Sequence, residues 1–207
     1  MTFRDPEGTL SHRVDAVVLA GGRSTRFGSD KRIALFCREE LIRRAVKKVS
    51  GVVTGTVFVA TGPRREHLPG TGRTVVITDS PPGRGPMGGI AAALERSATG
   101  VLVLGCDLPL VSPATLVRVL RAAQVTNAPV AVRSMRGWEP LVAYWPRRVY
   151  KLVRAAITAG RLAPHTLLDS LGTVPVTGLD PAELINVNTR ADLERAVAES
   201  RYLHPDK

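Results

Sequence analysis

The stretch that decides the fold begins Val14-Asp15-Ala16-Val17-Val18-Leu19 and continues Ala20-Gly21-Gly22-Arg23-Ser24-Thr25-Arg26-Phe27-Gly28-Ser29-Asp30-Lys31. The first part is apolar apart from Asp15, which predicts a strand buried on both faces. The second part combines three glycines with three cations. Glycines let backbone N–H groups approach an anion, and Arg and Lys donate charge-assisted hydrogen bonds to phosphate oxygens. The pattern favours a strand opening onto a polyphosphate-binding loop; the alternative is a surface loop without a ligand.

Two common phosphate loops do not match this stretch. A P-loop requires Gly-x-x-x-x-Gly-Lys followed by Ser or Thr, whereas Lys31 comes three residues after Gly28 and precedes Arg32. The dinucleotide-binding fingerprint Gly-x-Gly-x-x-Gly does not fit the spacing of Gly21, Gly22 and Gly28. The loop therefore belongs to another class of phosphate-binding site.

The composition is that of a protein with one hydrophobic core. Its 207 residues are 44% hydrophobic but only 4% aromatic, a balance typical of α/β proteins with Val- and Leu-rich strands. No segment approaches the roughly 18 unbroken apolar residues of a membrane span, and the N-terminus lacks the apolar centre of a signal peptide. We therefore expect a cytoplasmic protein. Its two cysteines, Cys37 and Cys106, are too few and too isolated for a disulfide framework or a zinc site.

The formal net charge of +11 is compatible with nucleic-acid binding. The basic residues are scattered, however, and no aromatic-rich strand for base stacking accompanies them. A cationic surface suits small anionic substrates equally well, and we expect no nucleic-acid partner.

The chain alternates between strand-like and helix-like segments, which predicts an α/β fold with a mostly parallel sheet and helices on both faces. The predicted strands cover 14–19, 56–61, 74–78, 101–105, 128–133, 139–144, 173–177 and 184–187. The predicted helices cover 38–50, 90–97, 147–159, 164–171 and 189–200, and one begins at the N-cap Ser112. Turn residues predict an irregular segment over 80–89. We expect a single domain over 14–200, preceded by an extended or poorly ordered lead-in (1–13) and followed by a tail (201–207).

Two aspartates follow predicted strands, at the edge where ligands collect in parallel sheets. Asp107 follows the most apolar strand, and a carboxylate beside a phosphate loop suits Mg²⁺, which takes few carboxylates and shares phosphate oxygens with a substrate. The alternative for Asp107 is a simple turn residue. Asp79 precedes two prolines and is either a turn former or a nucleotide or metal contact. Cys106 is expected to be a packing residue, since no histidine partner is indicated.

Two further segments carry candidate binding groups. Gly85-Pro86-Met87-Gly88-Gly89 offers bare backbone for an anion or a base edge, although its glycines could instead serve close packing. Thr189 and Asp192 have the spacing of an acidic capping box that starts the last helix. Asn186 and Asn188 lie two apart on a predicted strand, where their side chains would share one face and could meet a ligand.

Four motifs in order resemble the molybdenum cofactor guanylyltransferase family. They are Leu19-Ala-Gly-Gly with Arg26 and Lys31, Gly85-Pro-Met-Gly-Gly-Ile90, Asp107-Leu-Pro-Leu-Val111 and Asn186-Val-Asn-Thr-x-x-Asp192. Glu139-Pro-Leu-Val-Ala-Tyr144 also resembles the family's Pro-Leu segment. The first motif is shared by other nucleotidyltransferases, whereas the ordered set is more specific. The resemblance implies a three-layer, Rossmann-like nucleotidyltransferase fold and transfer of GMP from GTP to the phosphate of molybdopterin, releasing pyrophosphate.

The resemblance also implies roles for individual residues. Nucleotide contacts would come from Leu19, Ala20, Gly21, Gly22, Lys31, Asp79, Gly88 and Asp107. Arg26 and Lys31 would stabilise the departing pyrophosphate, Asp107 would hold Mg²⁺, and Asn186 and Asn188 would face the pterin. The implied partners are GTP, molybdopterin and, transiently, molybdenum-inserting proteins or apo-molybdoenzymes. Where relatives can carry Asn at the end of the second strand, this chain has Ala60-Thr61, which puts one nucleoside contact in doubt.

Two rival functions stay open from the sequence. One is a guanylyl- or cytidylyltransferase with another phosphorylated acceptor, such as a cobamide precursor or a sugar phosphate. The other is a non-catalytic GTP-binding regulator, which would not need a metal-binding carboxylate at Asp107.

Overall fold

The computed structural model describes residues 3–4, 10–11, 13–21, 27, 30–62 and 72–203. Its strands are β1 (Phe3–Arg4), β2 (Leu10–Ser11), β3 (Asp15–Leu19), β4 (Leu35–Phe36), β5 (Glu39–Glu40), β6 (Val57–Ala60), β7 (Thr74–Ile77), β8 (Gly100–Gly105), β9 (Val130–Ser134), β10 (Gly137–Pro146) and β11 (Val174–Val176). Its α-helices are α1 (Leu41–Ser50), α2 (Gly85–Arg96), α3 (Pro113–Thr126), α4 (Tyr150–Thr158), α5 (Pro164–Ser170) and α6 (Arg190–Leu203), with 3-10 turns at Lys31–Ile33, Arg147–Val149 and Pro181–Leu184.

A seven-stranded sheet in the order β11-β9-β10-β8-β3-β6-β7 forms the centre of the molecule. Strands β8, β3, β6 and β7 are parallel, while β10 runs antiparallel to both β8 and β9. Strands β3, β6 and β8 are apolar over almost their whole length because both of their faces are covered. The predicted α/β fold with a mostly parallel sheet is confirmed.

The two faces of the sheet carry separate hydrophobic cores. On one face α1 and α3 pack against alternate strand residues such as Val18 and Leu104. On the other face α2, α4 and α5 cover the intervening residues, among them Val17 and Val103. This two-sided burial leaves only the ends of the strands to present polar groups. Among the described helices none combines the length and the apolar character needed to cross a bilayer.

The two helix caps that the sequence predicts, at Ser112 and at Thr189, are both present. The Ser112 hydroxyl accepts from the Thr115 N–H at 3.1 Å, with Pro113 in the first turn of α3. Asp192 Oδ2 accepts from the Thr189 N–H at 2.9 Å, and the Thr189 hydroxyl accepts from the Asp192 N–H at 3.1 Å. The acidic capping box is therefore present at the start of α6.

The structure corrects two predictions near the site. Residues 85–89, predicted to be irregular, form the first turn of α2, because glycine and proline are tolerated where a helix starts and packs closely. Residues 184–187 are predicted to be a strand, but Leu184 ends a 3-10 turn and residues 185–187 pair with no strand in the described structure. Their backbone bonds instead to a distant loop, through Val187 N–H and Asp107 O at 2.8 Å. Asn186 and Asn188 therefore do not lie on a strand, and the prediction that they share one strand face is wrong.

Several boundaries also differ, and three of the differences have a clear physical reason or change the extent of the domain. Helix α1 begins at Leu41 rather than at Arg38, because Cys37 and Arg38 take positive φ in the turn between β4 and β5. The predicted lead-in contains the antiparallel pair β1–β2, whose two-residue strands are too short to produce a sequence pattern. Helix α6 extends to Leu203, three residues into the predicted tail.

Candidate active site

The carboxyl ends of the four parallel strands are aligned by the register of the sheet. Leu19 pairs with Ala60 and with Gly105, and Ala60 pairs with Ile77. The residues that follow these strand ends therefore lie along one edge, in the spatial order Cys106-Asp107, Ala20-Gly21, Thr61-Gly62 and Thr78-Asp79. This is the edge at which parallel α/β sheets bind ligands.

The Asp107 end of this edge is a cluster around one ammonium group. Lys31 Nζ donates to Asp107 Oδ2 at 2.8 Å, to Asn188 Oδ1 at 2.9 Å and to the Val187 carbonyl at 3.3 Å. The ion pair is largely shielded, with 12% and 15% of the Lys31 and Asp107 side chains exposed. Three motifs that are far apart in the sequence thus meet at Lys31.

Local structure on both sides places this ion pair. Asp30 caps the 3-10 turn that carries Lys31, accepting from the Arg32 N–H at 3.0 Å and pairing with the buried Arg32 guanidinium. Asp107 lies over Gly105, where an added Cβ would come within 2.6 Å of Asp107 Oδ1. A glycine at the last position of β8 therefore makes room for the carboxylate.

The Asp79 end of the edge is enclosed by glycines. Cβ atoms built on Gly21 and Gly62 would lie 4.0 and 3.9 Å from Asp79 Oδ2, and one on Gly89 would lie 3.5 Å from Asp79 Oδ1. A Cβ on Gly88 would approach Asp79 Cβ to 3.0 Å and the Pro81 carbonyl to 2.9 Å, so Gly88 is needed for close packing. Burial raises the pKa of the Asp79 carboxyl, and a hydrogen bond from the Gly62 N–H opposes the shift.

Two side-chain oxygens near the edge are buried and have no hydrogen-bond partner among the described residues. They are Thr61 Oγ1, on a residue 3% exposed, and Asn186 Oδ1. Unpaired buried polar atoms are uncommon in folded proteins and call for an explanation such as a ligand or a water molecule. Thr61 follows β6, the position at which the sequence left a nucleoside contact in doubt.

Cys106 is a packing residue, as predicted. It is 3% exposed, and burial, with a smaller effect of Asp107, raises the pKa of its thiol to about 12. A thiol with this pKa is protonated at neutral pH and is a poor nucleophile.

The structure brings together most of the predicted site residues. Leu19, Ala20, Gly21, Asp79 and Gly88 lie at one part of the edge, and Lys31, Asp107 and Asn188 at the other. Gly22 and Arg26 lie outside the described residues. Sequence reasoning did not identify the Val187 carbonyl in the Lys31 cluster, because a backbone acceptor leaves no signal in the residue type.

Comparison with known proteins defines the class. The profile of the MobA-like NTP transferase domain matches residues 16–174, and the chain therefore belongs to this family of nucleotidyltransferases. A probable molybdenum cofactor guanylyltransferase from Methanothermobacter thermautotrophicus is 31% identical over 198 residues, covering 89% of this chain and 99% of the relative. A molybdenum cofactor guanylyltransferase from Pseudomonas putida is 32% identical over 171 residues, covering 81% and 86%.

Solved structures show the same fold. Molybdopterin-guanine dinucleotide biosynthesis protein A from Archaeoglobus fulgidus superposes with a TM-score of 0.75 at 23% identity, covering 91% of this chain and all of the other. A Mycobacterium tuberculosis protein solved as a complex with manganese has a TM-score of 0.65 at 21% identity, covering 90% of this chain and 99% of the other.

Proposed function

We propose that this protein transfers GMP from GTP to the phosphate of molybdopterin, forming the guanine dinucleotide cofactor and pyrophosphate. The observation that carries the proposal is the Lys31–Asp107–Asn188 cluster at the carboxyl edge of a nucleotidyltransferase sheet. It joins the residue assigned to phosphates, the residue assigned to the metal and a residue assigned to the acceptor. Family membership and the names of the similar proteins support the choice of guanine and molybdopterin.

The nucleotide would lie along the edge from Asp79 to Lys31. The backbone of Leu19, Ala20 and Gly21 would contact it, with Gly22 and Gly88 as further proposed contacts. Guanine presents N–H donors at N1 and N2, and a buried carboxylate such as Asp79 can accept hydrogen bonds from them. A pocket built to bond these groups rejects bases that leave its polar atoms unpaired, by roughly 1–3 kcal/mol for each lost partner.

The oxygen donors at the Asp107 end fit a divalent cation. Asp107 Oδ2, Asn188 Oδ1 and Val187 O already surround a cation, the Lys31 ammonium. Mg²⁺ prefers oxygen ligands and takes few protein carboxylates. We propose that Asp107 holds Mg²⁺, which when bound would neutralise charge on phosphate oxygens. The manganese complex of the M. tuberculosis protein supports a divalent ion.

The transfer itself would need no protein nucleophile. An oxygen of the acceptor phosphate attacks the α-phosphorus in line, forming a new P–O bond while the bond to the bridging oxygen breaks and pyrophosphate leaves. Lys31 and Arg26 would donate hydrogen bonds to the phosphate oxygens and neutralise the leaving group. The remaining contribution is the alignment of two anionic substrates, which would otherwise repel each other.

We propose Asn186 and Asn188 on the acceptor side. Transient contact with molybdenum-inserting proteins or apo-molybdoenzymes, and a cytoplasmic location, stay predictions. The double variant N186A/N188A should weaken molybdopterin binding much more than GTP binding, which can change only through the hydrogen bond between Asn188 and Lys31. Both affinities can be measured by titration calorimetry, with the exposed Glu194→Gln as control. Unchanged acceptor affinity would exclude these residues from the acceptor site.

The direct test is a pyrophosphate-release assay with each of GTP, CTP and ATP, with and without molybdopterin. We expect release only with both GTP and molybdopterin, and a dinucleotide product of the expected mass. Equal use of CTP would contradict the guanine assignment. Release with GTP and a sugar phosphate, but not with molybdopterin, would contradict the acceptor assignment.

A further inference from the structure

The segment that carries Asp107 is weakly held by its own backbone. After β8 the chain is irregular until α3 begins, and the two hydrogen bonds within the turn are long. They join Leu108 N–H to the Gly105 carbonyl at 3.3 Å and Val111 N–H to the Leu108 carbonyl at 3.4 Å. The position of Asp107 therefore depends on contacts from outside the segment, which include the bond from Val187 N–H to the Asp107 carbonyl at 2.8 Å and that from Cys106 N–H to the Leu19 carbonyl at 3.1 Å.

Helix α1 supplies such contacts through two cations one turn apart. Lys48 Nζ donates to the Pro109 carbonyl at 2.5 Å and to the Val111 carbonyl at 2.6 Å. Arg44 Nε donates to the same Pro109 carbonyl at 2.9 Å. Residues four apart lie on one helix face, so both side chains reach the segment together. Hydrogen bonds from charged donors are stronger than those between neutral groups.

Glu183 links Lys48 to the turn before Asn186, which is on the proposed acceptor side. Burial and, to a smaller extent, the neighbouring Arg44 lower the pKa of Lys48 to about 7, while the carboxylates of Glu183 and Glu39 partly oppose this shift. Glu183 Oε2 also accepts from the Ser112 N–H at 2.7 Å and from the Thr115 hydroxyl at 2.8 Å. The segment is therefore held from α1 on one side and from the turn that precedes Asn186 on the other.

We propose that Lys48 is a positioning residue of the transfer reaction: through the Pro109 and Val111 carbonyls it fixes the segment that presents Asp107. Lys48 acts through these backbone atoms and not by binding a substrate. Its side chain should matter for turnover and for metal affinity but not for nucleotide affinity. This inference rests on the proposed function, because it assigns Lys48 to the step for which Asp107 is proposed.

The test compares Lys48→Met with Lys47→Met, whose side chain is exposed on the same helix. In Lys48→Met we expect kcat to fall at least about tenfold, since small misplacements away from the reacting atoms can cost up to about 100-fold. The KM for GTP should stay within about twofold, and Mn²⁺ affinity in the presence of GTP, measured by electron paramagnetic resonance, should weaken several-fold. Lys47→Met should change none of these values.

Two further variants keep the test decisive if Lys48→Met does not fold. Lys48→Arg retains a charged donor for both carbonyls and should recover most of kcat and Mn²⁺ affinity. Arg44→Gln removes one bond to Pro109 and should show the same split between kcat and KM, to a smaller extent.

The outcomes separate this inference from the proposed function. A wild-type protein that releases no pyrophosphate with GTP and molybdopterin contradicts the proposed function, and the Mn²⁺ measurement still tests Lys48. Unchanged Mn²⁺ affinity in Lys48→Met, or a KM for GTP that rises as much as kcat falls, would overturn the role of Lys48.

Discussion

Asp79 and Asp107 lie at the same edge of one sheet in opposite surroundings. Asp107 is paired with the Lys31 ammonium at 2.8 Å, beside the Asn188 amide. Asp79 is 9% exposed, is enclosed by glycine backbone and forms no ion pair with a cation in the described part of the chain. The Asp107 end is thus organised for charged groups, and the Asp79 end for neutral hydrogen-bond donors.

This difference suits the two ends of the edge to different parts of the proposed substrate. Phosphates and a metal ion need compensating charge, which the Lys31–Asp107 pair provides in both signs. A guanine base carries no net charge, but its N–H groups can stabilise a carboxylate whose pKa is raised by burial. On this proposal the base binds at Asp79, the carboxylate that the ligand-free protein stabilises less than Asp107.

The largest effect is expected for Asp107→Asn, which removes the carboxylate charge at the Asp107 end of the sheet edge. Turnover should fall at least ~100-fold, because the loss of one transition-state charge contact costs about 3 kcal/mol. The fold should persist, since asparagine has the same shape. Steady-state pyrophosphate release with Mg²⁺ measures the effect, with the exposed Glu194→Gln as control. Near-normal turnover would disprove the metal assignment.

Lys31→Ala should weaken triphosphate binding by about tenfold or more and also slow transfer, since hydrogen bonds to charged groups contribute roughly 1.5–3 kcal/mol. GTP titration and single-turnover rates separate the two effects. Lys47→Ala, which removes an exposed lysine on α1, should change neither. Equal behaviour of the two variants would show that the loop is not a phosphate site.

Asp79→Asn should have opposite effects on binding and on stability. GTP affinity should fall by several-fold, while the ligand-free protein should become more stable at neutral pH. Because the pKa of Asp79 is raised by burial, the folded state holds its proton to higher pH than the unfolded state. The wild-type free energy of unfolding should therefore fall as the pH rises from about 4 through this raised pKa.

Urea unfolding at a series of pH values, with and without the substitution, measures this contribution. The decline in the free energy of unfolding should be smaller in Asp79→Asn, whereas the exposed Glu194→Gln should follow the wild type. Parallel plots of the free energy of unfolding against pH for Asp79→Asn and wild type would mean that folding does not raise the pKa of Asp79.

The smallest effect is expected for Thr61→Val, which keeps the side-chain shape and removes the buried hydroxyl at the Asp79 end. If this hydroxyl bonds the nucleoside, the KM for GTP should rise about 2–10-fold, as for one neutral hydrogen bond of roughly 0.5–1.5 kcal/mol. The value of kcat should be unchanged. Thr158→Val, exposed on α4, is the matched control. An unchanged KM would show that the Thr61 hydroxyl does not bond the nucleoside.

The elements that sequence patterns predicted well are those that local interactions determine. All but the first residue of the run at 14–19 form β3, which is buried on both faces, and the Thr189–Asp192 box starts α6. The segments that were wrong depend on distant partners. Gly88 and Gly89 form part of α2 because they pack against Asp79, Leu19 and Ala60. In the segment 184–187, the Val187 N–H bonds to the Asp107 carbonyl rather than to a neighbouring strand.

The candidate site divides in the same way. The order of strand and helix segments already placed Leu19, Asp79 and Asp107 at one edge, because parallel strands end on the same side of a sheet. The meeting of Lys31 with Asp107, 76 residues away, and with Asn188, 157 residues away, could not be read from any local period. The same is true of Lys48, whose carbonyl partners carry no residue-specific signal.

The sequence by itself determined the class of fold, the edge that holds the candidate site and most of the residue types along it. These follow from hydrophobic periodicity and from the chemistry of phosphate, which asks for glycine backbone and cations. Only the tertiary structure decided which carboxylate is paired and which is left among glycines. That difference arises from side chains of separate elements meeting across the sheet edge, where the distances are set by packing rather than by spacing along the chain.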